Sequence, residues 1–399
     1  MYNRLSDEVK ERIEQDRANH VVNPYAFKDE NVVRRDMSRD RANILRPAFV
    51  RDVNKIMNIP YYTRYADKTQ VFSLHKNDDI SRRAFHVQLV ANTARNIGRL
   101  LNLNLDLIEA IALGHDLGHT PFGHAGEKKL NEIYHSRTGR YFNHNIQSAR
   151  ILDTIFPVNV SLQTLDGIIC HNGELELKQY VPENYDTFDR FEEKMNMCLN
   201  EKGGVKKLIP NTLEGCVVRV SDIIAYVGKD RQDAIKLGLI KDNDIFSDLG
   251  IGKINAEIIS NIVTNIVENS YGKSYLKMDD EYFEAFSLAK KENYSLIYLN
   301  ESVEKIFDET IYPMFDEVYE KLYDDLVNHR TDSVIYKHHI DYIKGYTSFY
   351  DCKICYEELD PDDIVTDAIA SMTDDYFVDL YNYLFPDKAR DLKYVGYFE

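Results

Sequence analysis

The sequence predicts an all-helical protein, because apolar residues recur at helical spacing in most segments and strand-like alternation is almost absent. Apolar side chains three or four positions apart extend from Arg83 to Leu101, from Leu213 to about Leu237 and from Ile364 to Leu384. Only Glu174 to Leu177, which reads ELEL after the turn-like letters HNG, alternates as a strand would. We therefore expect helices throughout and at most a small β-hairpin.

Local signals justify two further helices. One is expected to begin at Asp106, with Glu109 three positions later as its capping partner, and to end near Gly118 and Pro121. The other is expected within residues 303–326, where apolar side chains again keep a helical spacing.

The composition of the chain disfavours several classes of function. Hydrophobic residues make up 44% of the 399 residues, enough for a large core without disulfides. The formal net charge of −17 disfavours general binding to nucleic acids or anionic membranes, so any phosphate site must be locally basic. The candidate motifs are spread from about residue 46 to residue 376, which argues against a string of independent modules.

The cysteines and the first residues favour a cytoplasmic protein. The five cysteines are odd in number and mostly far apart, as is typical of reduced thiols rather than of a disulfide framework. Cys352 and Cys355 form a single C-x-x-C pair, for which two ordinary thiols are favoured over a zinc or redox site. The charged first twenty residues do not resemble a signal peptide, and no apolar run reaches the ~18 residues of a membrane helix.

A dense group of candidate ligands lies in residues 114–127, which read GHDLGHTPFGHAGE. Imidazole and carboxylate groups are natural ligands of divalent cations, and His115 with Asp116 supplies one of each. Adjacent residues on a regular helix diverge by about 100°, so both reach one ion only where the helix ends. Gly118 and Pro121 predict such an end.

The remaining ligands of a metal site must come from other helices. His86 is the best upstream candidate and shares a helix face with Arg83. Asp222 interrupts the apolar run VVRVSDIIAYV, where an unpaired buried carboxylate would cost several kcal/mol. Taken singly, His86 also fits a hydrogen-bonded core histidine and Asp222 half of a structural ion pair. Their order relative to His115 and Asp116 favours the metal site.

The order H, HD, D on separate predicted helices resembles the ligand signature of the HD superfamily. Within that superfamily, HDLGHTPFGHAGE is similar to the HD-x-G-H-x-P-F-G-H-x-G-E motif of the dGTPase-like deoxynucleoside triphosphate triphosphohydrolases. The resemblance continues through DKTQVF (67–72), FNHNIQSAR (142–150), LEGCVVRVSDIIAYVGKDRQD (213–233) and MTDDYF (372–377). It covers residues 40–240 well and the C-terminal third thinly.

The resemblance implies an HD-domain helical bundle with extra N- and C-terminal helices. Residues 76–240 would form the metal-dependent phosphohydrolase core. Residues 1–75 would form an N-terminal helical segment that contributes to the nucleotide site and to oligomer contacts, and residues 241–399 a helical region packed on the core.

The resemblance also implies a role for each matching residue. The metal ligands would be His86, His115, Asp116 and Asp222. The catalytic and phosphate-contacting groups would be His124, Glu127, His144 and His119. The substrate-binding residues would be Arg83 and Arg64 on the phosphate side and Gln70, Tyr226 and Asp230 on the sugar.

The residues themselves support part of this assignment. Asp222, Tyr226, Lys229, Asp230 and Asp233 are spaced so that they form a polar stripe along one helix face leading away from the proposed metal. Charged residues at these spacings usually form a solvated face, but the position of Tyr226 beside a ligand favours sugar recognition.

The predicted mechanism is metal-dependent hydrolysis of dGTP or of dNTPs more broadly. Phosphate-ester hydrolysis needs neutralised phosphate oxygens, an oriented water and a proton for the departing oxygen. The ion would polarise the α-phosphate, while Arg83, helped by Arg64, would neutralise the remaining charge. His124 would donate a proton to the 5′-oxygen, with Glu127 and His144 orienting it. Release of deoxynucleoside and triphosphate follows from the resemblance and not from the spacing.

The sequence departs from the family pattern at a few positions. Residues 87–89 replace a small hydroxyl residue and a later glutamate, Lys229 replaces a common histidine, and Asp375 replaces an arginine. These departures leave base preference and regulation open.

Two other functions remain open at this point. The same metal chemistry would serve a nucleoside monophosphate, a cyclic nucleotide or an alarmone, and a protein that binds nucleotides without turnover would sense them. The sequence does not choose among manganese, magnesium, iron, zinc and nickel. The resemblance implies a homo-oligomer, in some members with an allosteric nucleotide, and we expect neither a membrane nor a nucleic acid as partner.

Overall fold

The computed structural model describes residues 2–172, 177–298, 305–348, 355–390, 392 and 394–396. Of the predicted strand Glu174 to Leu177, only Leu177 lies within the described residues. Cys352 also lies outside them, whereas Cys355 is exposed and forms no disulfide.

Helices form nearly all the regular structure of these residues, which confirms the predicted all-helical class. The helices are α1 (Asp7–Ala18), α2 (Ala48–Asn58), α3 (Arg83–Leu101), α4 (Leu105–Gly114), α5 (Gly123–Thr138), α6 (His144–Arg150), α7 (Leu162–Ile169), α8 (Phe188–Asn200), α9 (Leu213–Lys236), α10 (Asn255–Ser270), α11 (Asp280–Asn293), α12 (Tyr312–Val327), α13 (Asp341–Thr347), α14 (Pro361–Ala370) and α15 (Asp374–Leu384). Short 3₁₀ and π-helical turns connect several of them.

The β-structure is one short ribbon of two strands, β1 (Gln179–Tyr180) and β2 (Leu276–Lys277). The strands are antiparallel, and Gln179 pairs with Lys277. The ribbon therefore joins two distant parts of the chain instead of forming a local hairpin, and it pins the segment after α7 to the segment after α10.

Two long helices that the sequence predicted form the centre of the fold. Helix α3 has the predicted bounds, and α9 ends at Lys236, one residue before the predicted end. They pack against each other, and both pack against α4. Helix α9 is buried along nearly its whole length because neighbouring helices cover its faces. A polar side chain on α9 therefore needs a partner inside the protein.

The predicted start of α4 was wrong in its capping residue. Asn104 is the N-cap, and its side-chain oxygen accepts hydrogen bonds from the backbone N–H groups of Asp106 and Leu107. Glu109 instead forms an ion pair with Arg95 of α3. A short side chain directly before the helix reaches the first N–H groups more easily than a glutamate within it.

The predicted single helix from Ile364 to Leu384 is in fact two helices, α14 and α15. The chain breaks between Ser371 and Thr373, and the Thr373 side chain caps α15 by accepting a hydrogen bond from the N–H of Tyr376. The apolar spacing continues across the break, which is why the sequence suggested one helix.

The buried hydrophobic residues form one large cluster that includes positions from Ile13 to Leu392, with a smaller cluster beside it. Helix α1 lies against the C-terminal end of α10, where Tyr271 donates a hydrogen bond to Asp16 and the Arg12 guanidinium lies over the Tyr271 ring. Over the described ranges, each helix is too short or too polar to cross a lipid bilayer.

Candidate metal centre

His115 and Asp116 directly follow Gly114, the last residue of α4, which ends about one turn before the break that the sequence predicted near Gly118 and Pro121. The Nδ1 atom of His115 lies 2.7 Å from the carbonyl oxygen of Ala112, so Nδ1 carries the proton and donates it. The other ring nitrogen, Nε2, is buried and has no hydrogen-bond partner among the described residues. An unpaired nitrogen lone pair inside a protein is costly unless a cation binds it.

The structure brings the four predicted ligands together from three helices. The Nε2 of His86 on α3 lies 3.0 Å from Oδ1 of Asp222 on α9. The Nε2 of His115 lies 3.8 Å from the same oxygen and 3.5 Å from Oδ2 of Asp116. The close packing of α3, α4 and α9 produces this convergence.

Both carboxylates of this cluster are ionised. Burial alone would raise the pKa of Asp222, but the hydrogen bond with His86 and the charges of nearby histidines lower it to about 2. Burial would likewise raise the pKa of Asp116, yet His115 and the Arg83 guanidinium hold it well below its usual range. Two imidazoles, one of them with an unpaired nitrogen, and two carboxylates fit a divalent cation.

A second group of side chains lies beside these ligands and is centred on Glu127 of α5. Its carboxylate lies 3.1 Å from Nδ1 of His124 and 2.9 Å from Nδ1 of His144, and it accepts the backbone N–H of His144 at 2.7 Å. Burial would raise the pKa of Glu127, but the His144 charge and the hydrogen bonds with both histidines lower it. Glu127 is therefore an ionised acceptor that orients two imidazoles.

His119 completes this second group. Its ring stacks on that of His144, with centroids 4.2 Å apart. Burial and the charge of Arg83 lower the pKa of His119 well below its ordinary value, so it is neutral near pH 7. His124, in contrast, keeps 58% of its side chain exposed. His124 is therefore the most exposed side chain of this group.

Two glycines let the HD loop, residues 115–122 between α4 and α5, pass close to its neighbours. A Cβ on Gly118 would lie 2.4 Å from the carbonyl oxygen of His144 and from the N–H of Ser148. A Cβ on Gly126 would lie 1.9 Å from the carbonyl oxygen of Pro121. Any larger residue would displace backbone that carries site residues.

The predicted substrate residues Arg83 and Gln70 lie next to the ligands. The Arg83 guanidinium is buried, contacts Asp116 and donates hydrogen bonds to the carbonyl oxygens of Thr69 and Gln70. The side-chain oxygen of Gln70 is buried and has no partner among the described residues. This side of the cluster therefore holds the positively charged guanidinium of Arg83 and the unpaired acceptor oxygen of Gln70.

The carboxylates of the polar stripe of α9 are buried, and Tyr226 and Lys229 are partly buried. Tyr298 donates a hydrogen bond of 2.6 Å to Asp230, and burial raises the pKa of Asp230 to about 7 in spite of that bond. Asp233 accepts the backbone N–H of Ser81 and pairs with Lys229. The solvated-face alternative is therefore wrong for Asp230 and Asp233.

Comparison with known proteins agrees with this geometry. The HD domain family model matches residues 83–226. A protein of Caldanaerobacter subterraneus called deoxyguanosinetriphosphate triphosphohydrolase-like is 31% identical over 309 residues, which are 74% of this chain and 80% of that protein. The chain belongs to the dGTPase-like family of HD-domain hydrolases. Relatives with the same name from Desulfatibacillum aliphaticivorans and Rickettsia bellii are 38% and 35% identical, and the chain matches about half of their length.

One further histidine, which no sequence motif predicted, lies beside the proposed ligands. His171 follows the last turn of α7, and its Nδ1 lies 2.6 Å from the carbonyl oxygen of Ile168. Its Nε2 lies 3.8 Å from Oδ1 of Asp116. Burial and the nearby charges of His115 and His144 lower the pKa of His171 to about 3. The sequence feature that could have predicted His171 is its position at the end of an apolar helix, which it shares with His115.

Asp374 and Tyr298 were also missed. Asp374, in the MTDDYF motif of this dGTPase-like chain, accepts the N–H of Phe122 at 3.0 Å and the hydroxyl of Thr69. It therefore holds the HD loop and the segment that carries Gln70. No local pattern reveals such contacts, because Asp374 is far from both partners in sequence.

Among the described residues, no recorded contact joins Arg64 to the metal ligands. Its guanidinium lies 3.8 Å from the Tyr61 ring centroid and donates a hydrogen bond of 2.7 Å to the carbonyl oxygen of Ser371. It lines a cavity of about 250 Å³ with His338 and Tyr376. The phosphate role of Arg64 stays a prediction that no described contact supports.

Proposed function

We propose that this chain hydrolyses deoxynucleoside triphosphates to deoxynucleoside and triphosphate in a metal-dependent reaction. The observation that carries the proposal is the convergence of His86, His115, Asp116 and Asp222, with a buried unpaired nitrogen among them. The name of the relatives supports dGTP, or dNTPs more broadly, as the substrate class.

A bound divalent cation would supply Lewis-acid polarisation of the α-phosphate and neutralise part of its charge. His86 and His115 would hold it through Nε2, and Asp116 and Asp222 through carboxylate oxygens. Manganese, magnesium, iron, zinc and nickel all accept such donors, so the chemistry fixes a divalent ion and not its identity.

His124 would donate the proton to the departing 5′-oxygen. Glu127 binds Nδ1 of His124 at 3.1 Å, and this bond fixes the ring so that Nε2 serves the substrate. His124 is also exposed enough for contact with a nucleotide. His144 would help to keep Glu127 in place, and neutral His119 would contact phosphate.

Arg83 would neutralise phosphate oxygens, since its planar guanidinium already lies beside Asp116. Gln70, Tyr226 and Asp230 would bind the sugar. The buried and unpaired oxygen of Gln70 is an acceptor for a sugar hydroxyl. The Tyr298 hydrogen bond holds Asp230 in position.

We further propose a homo-oligomer, a cytoplasmic location and, as in some family members, an allosteric nucleotide. Family resemblance supports the first and third. The three buried cysteines, Cys170, Cys198 and Cys216, are free thiols, which supports a reducing compartment. The division of the chain at residues 75 and 240 is part of the same proposal.

The test is to load the metal-stripped protein separately with each of the five cations and incubate it with every dNTP and rNTP. Separation of products by ion exchange should show triphosphate and deoxynucleoside from dNTPs. The double variant His115→Ala, Asp116→Ala should lose this activity, whereas exposed His135→Ala on α5 should keep it. Equal turnover in the double variant would reject the proposal, and release of orthophosphate or pyrophosphate would favour another nucleotide substrate.

A further inference from the structure

A cavity of about 250 Å³ lies at the break between α14 and α15. Its wall is mainly apolar and includes Leu322 of α12 and Ala368 of α14. Its polar side chains include Arg64, His338 and Tyr376. None of these side chains belongs to the proposed metal centre, so the function proposed above gives this cavity no role.

Arg64 brings a positive charge to this cavity without a matching negative charge. Its guanidinium carbon lies over the Tyr61 ring, 3.8 Å from the ring centroid, and one of its N–H groups donates a hydrogen bond to the carbonyl oxygen of Ser371. A guanidinium has five N–H groups, so most of them remain available to other acceptors. Among the described residues, no aspartate or glutamate forms an ion pair with Arg64, although the chain has 66 such residues.

The surroundings of the guanidinium strengthen its attraction for an anion. Tyr61 and His339 are both buried, and water screens a charge beside buried groups less than it screens one on an open surface. Burial and the charge of Arg64 lower the pKa of His339 to about 3, so this imidazole is neutral near pH 7. The positive charge on this side of the cavity therefore belongs to Arg64 and not to His339.

The size and the lining of the cavity limit the class of its ligand. Its volume is below the about 300 to 1,000 Å³ of pockets that enclose drug-sized molecules, so a whole nucleoside triphosphate would not fit inside. A planar guanidinium binds carboxylate and phosphate oxygens through pairs of N–H groups. An apolar wall favours a hydrocarbon body. Together these features fit a small organic anion.

We propose that this cavity binds a small organic anion, with its carboxylate or phosphate group on the Arg64 guanidinium and its apolar body against the apolar wall. The cavity is linked to the HD loop through Lys68. The Lys68 ammonium donates a hydrogen bond of 2.9 Å to the carbonyl oxygen of Ala370, at the end of α14, and another to the carbonyl oxygen of His119. A bound anion would therefore lie beside a helix end that one side chain joins to the HD loop.

The experiment compares three probes of similar shape on the full chain. Benzoate and phenyl phosphate carry an anionic group on a benzene ring, and benzamide is the neutral counterpart of benzoate. Titrations followed by the NMR signals of the probes give the three dissociation constants. We expect a dissociation constant of about 1 mM or lower for at least one anion. Benzamide should bind at least about tenfold more weakly, because it lacks the charge that pairs with Arg64. The tighter of the two anions identifies carboxylate or phosphate as the preferred group.

Two variants locate the bound anion. Arg64→Gln should weaken its binding at least about tenfold, whereas Arg99→Gln, which changes an exposed arginine of α3, should not affect it. Val334→Phe places a larger side chain in the wall of the cavity and should prevent binding. Val22→Phe, an exposed change in the N-terminal segment, should bind the anion normally. Thermal melting verifies that each variant folds, and Val334→Phe decides the question if Arg64→Gln does not fold.

The titrations are repeated on the chain after a chelator has removed its metal. Unchanged affinity for the anions is expected, and a loss of binding would place them on the metal and overturn the cavity site. The proposal would also be overturned by the absence of binding, by equal affinity for benzamide, or by full binding to folded Arg64→Gln or Val334→Phe. None of these measurements requires turnover, so the anion site and the proposed hydrolysis can each fail without the other.

Discussion

At the scale of single residues, the site depends on which ring nitrogen each histidine presents. Backbone carbonyls and Glu127 bind the Nδ1 atoms of His115, His171 and His144, so the Nε2 atoms point together. His115 and His144 could be predicted because each lies in a long segment that resembles the family's sequence motifs. His171 lies in a three-letter context, HNG, that carries little information by itself.

Glu127 should act as a positioning residue rather than as a proton donor. We expect Glu127→Gln to lower kcat by about 100-fold with little change in KM, because a neutral amide fixes the two imidazoles less well. The pH dependence of kcat should also shift, since His124 would lose its charged neighbour. Glu132→Gln, an exposed change on the same helix, should leave kcat and its pH dependence unchanged. Full kcat in Glu127→Gln would contradict this role.

Asp230 should make the folded chain less stable as the pH rises. Burial raises its pKa from 3.8 to about 7, so the folded state favours the protonated form and loses stability between those pH values. Asp230→Asn removes this loss. Urea unfolding should show that the variant gains about 1 to 2 kcal/mol more at pH 8 than at pH 5.5, relative to the unmodified chain.

The control for this prediction is Asp332→Asn, which changes an exposed carboxylate of a turn. Its effect on the free energy of unfolding should be the same at both pH values. If the gain in the free energy of unfolding for Asp230→Asn does not increase with pH, then burial does not raise the pKa of Asp230.

At the scale of elements, the sequence predicted the long helices α3 and α9 well because each contains several turns of apolar spacing. It failed at the start of α4 and at the break before α15, since both depend on single capping side chains, Asn104 and Thr373. The D-x-x-E pattern at Asp106 suggested the wrong cap for α4. The continuous apolar spacing from Ile364 to Leu384 suggested one helix instead of two. The central positions of helices were therefore predictable and several ends were not.

The close packing of the HD loop against α6 should be sensitive to one added carbon. Gly118→Ala places a Cβ 2.4 Å from two backbone atoms of α6, so either the loop or the helix must shift. We expect a loss of at least about 2 kcal/mol in the free energy of unfolding. Gly345→Ala in α13, where a Cβ meets nothing within 4 Å, should change it by less than about 1 kcal/mol.

Denaturant titration of both variants measures these changes. Equal stabilities for Gly118→Ala and Gly345→Ala would contradict the packing argument. Metal binding by Gly118→Ala should weaken as well, because the shift would move the adjacent residues of the HD loop.

At the scale of the whole molecule, we expect an exposed turn in the N-terminal segment to form contacts between subunits of the proposed homo-oligomer. Ile44 and Leu45 are 97% and 86% exposed at the tip of a turn closed by the pairing of Asn43 with Arg46. Helix α1, in contrast, already packs on α10, so its contacts lie within the chain. We expect the double variant Ile44→Ser, Leu45→Ser to lower the mass measured by light scattering after gel filtration. Leu288→Ser, an exposed apolar residue of α11, should not.

The way distant parts of the chain fold together also limited how much of the site the sequence could predict. Ligands after α4 and on α9 could be assigned because family motifs mark these parts of the chain, and His86 of α3 could be assigned because its order relative to them matches the HD signature. The support that Asp374 gives to the HD loop, and the bond from Tyr298 to Asp230, depend on how the C-terminal half folds back, which the thin resemblance there did not reveal.

The proposed activity depends on four side chains from three helical regions binding one divalent cation. Crystals of the protein grown with Mn²⁺ and measured for anomalous scattering test it most directly. We expect a strong anomalous peak at about 2 to 2.6 Å from the ligand atoms of His86, His115, Asp116 and Asp222. A well-ordered crystal with no peak there, or with its strongest peak away from these four side chains, would show that these residues do not form the metal site.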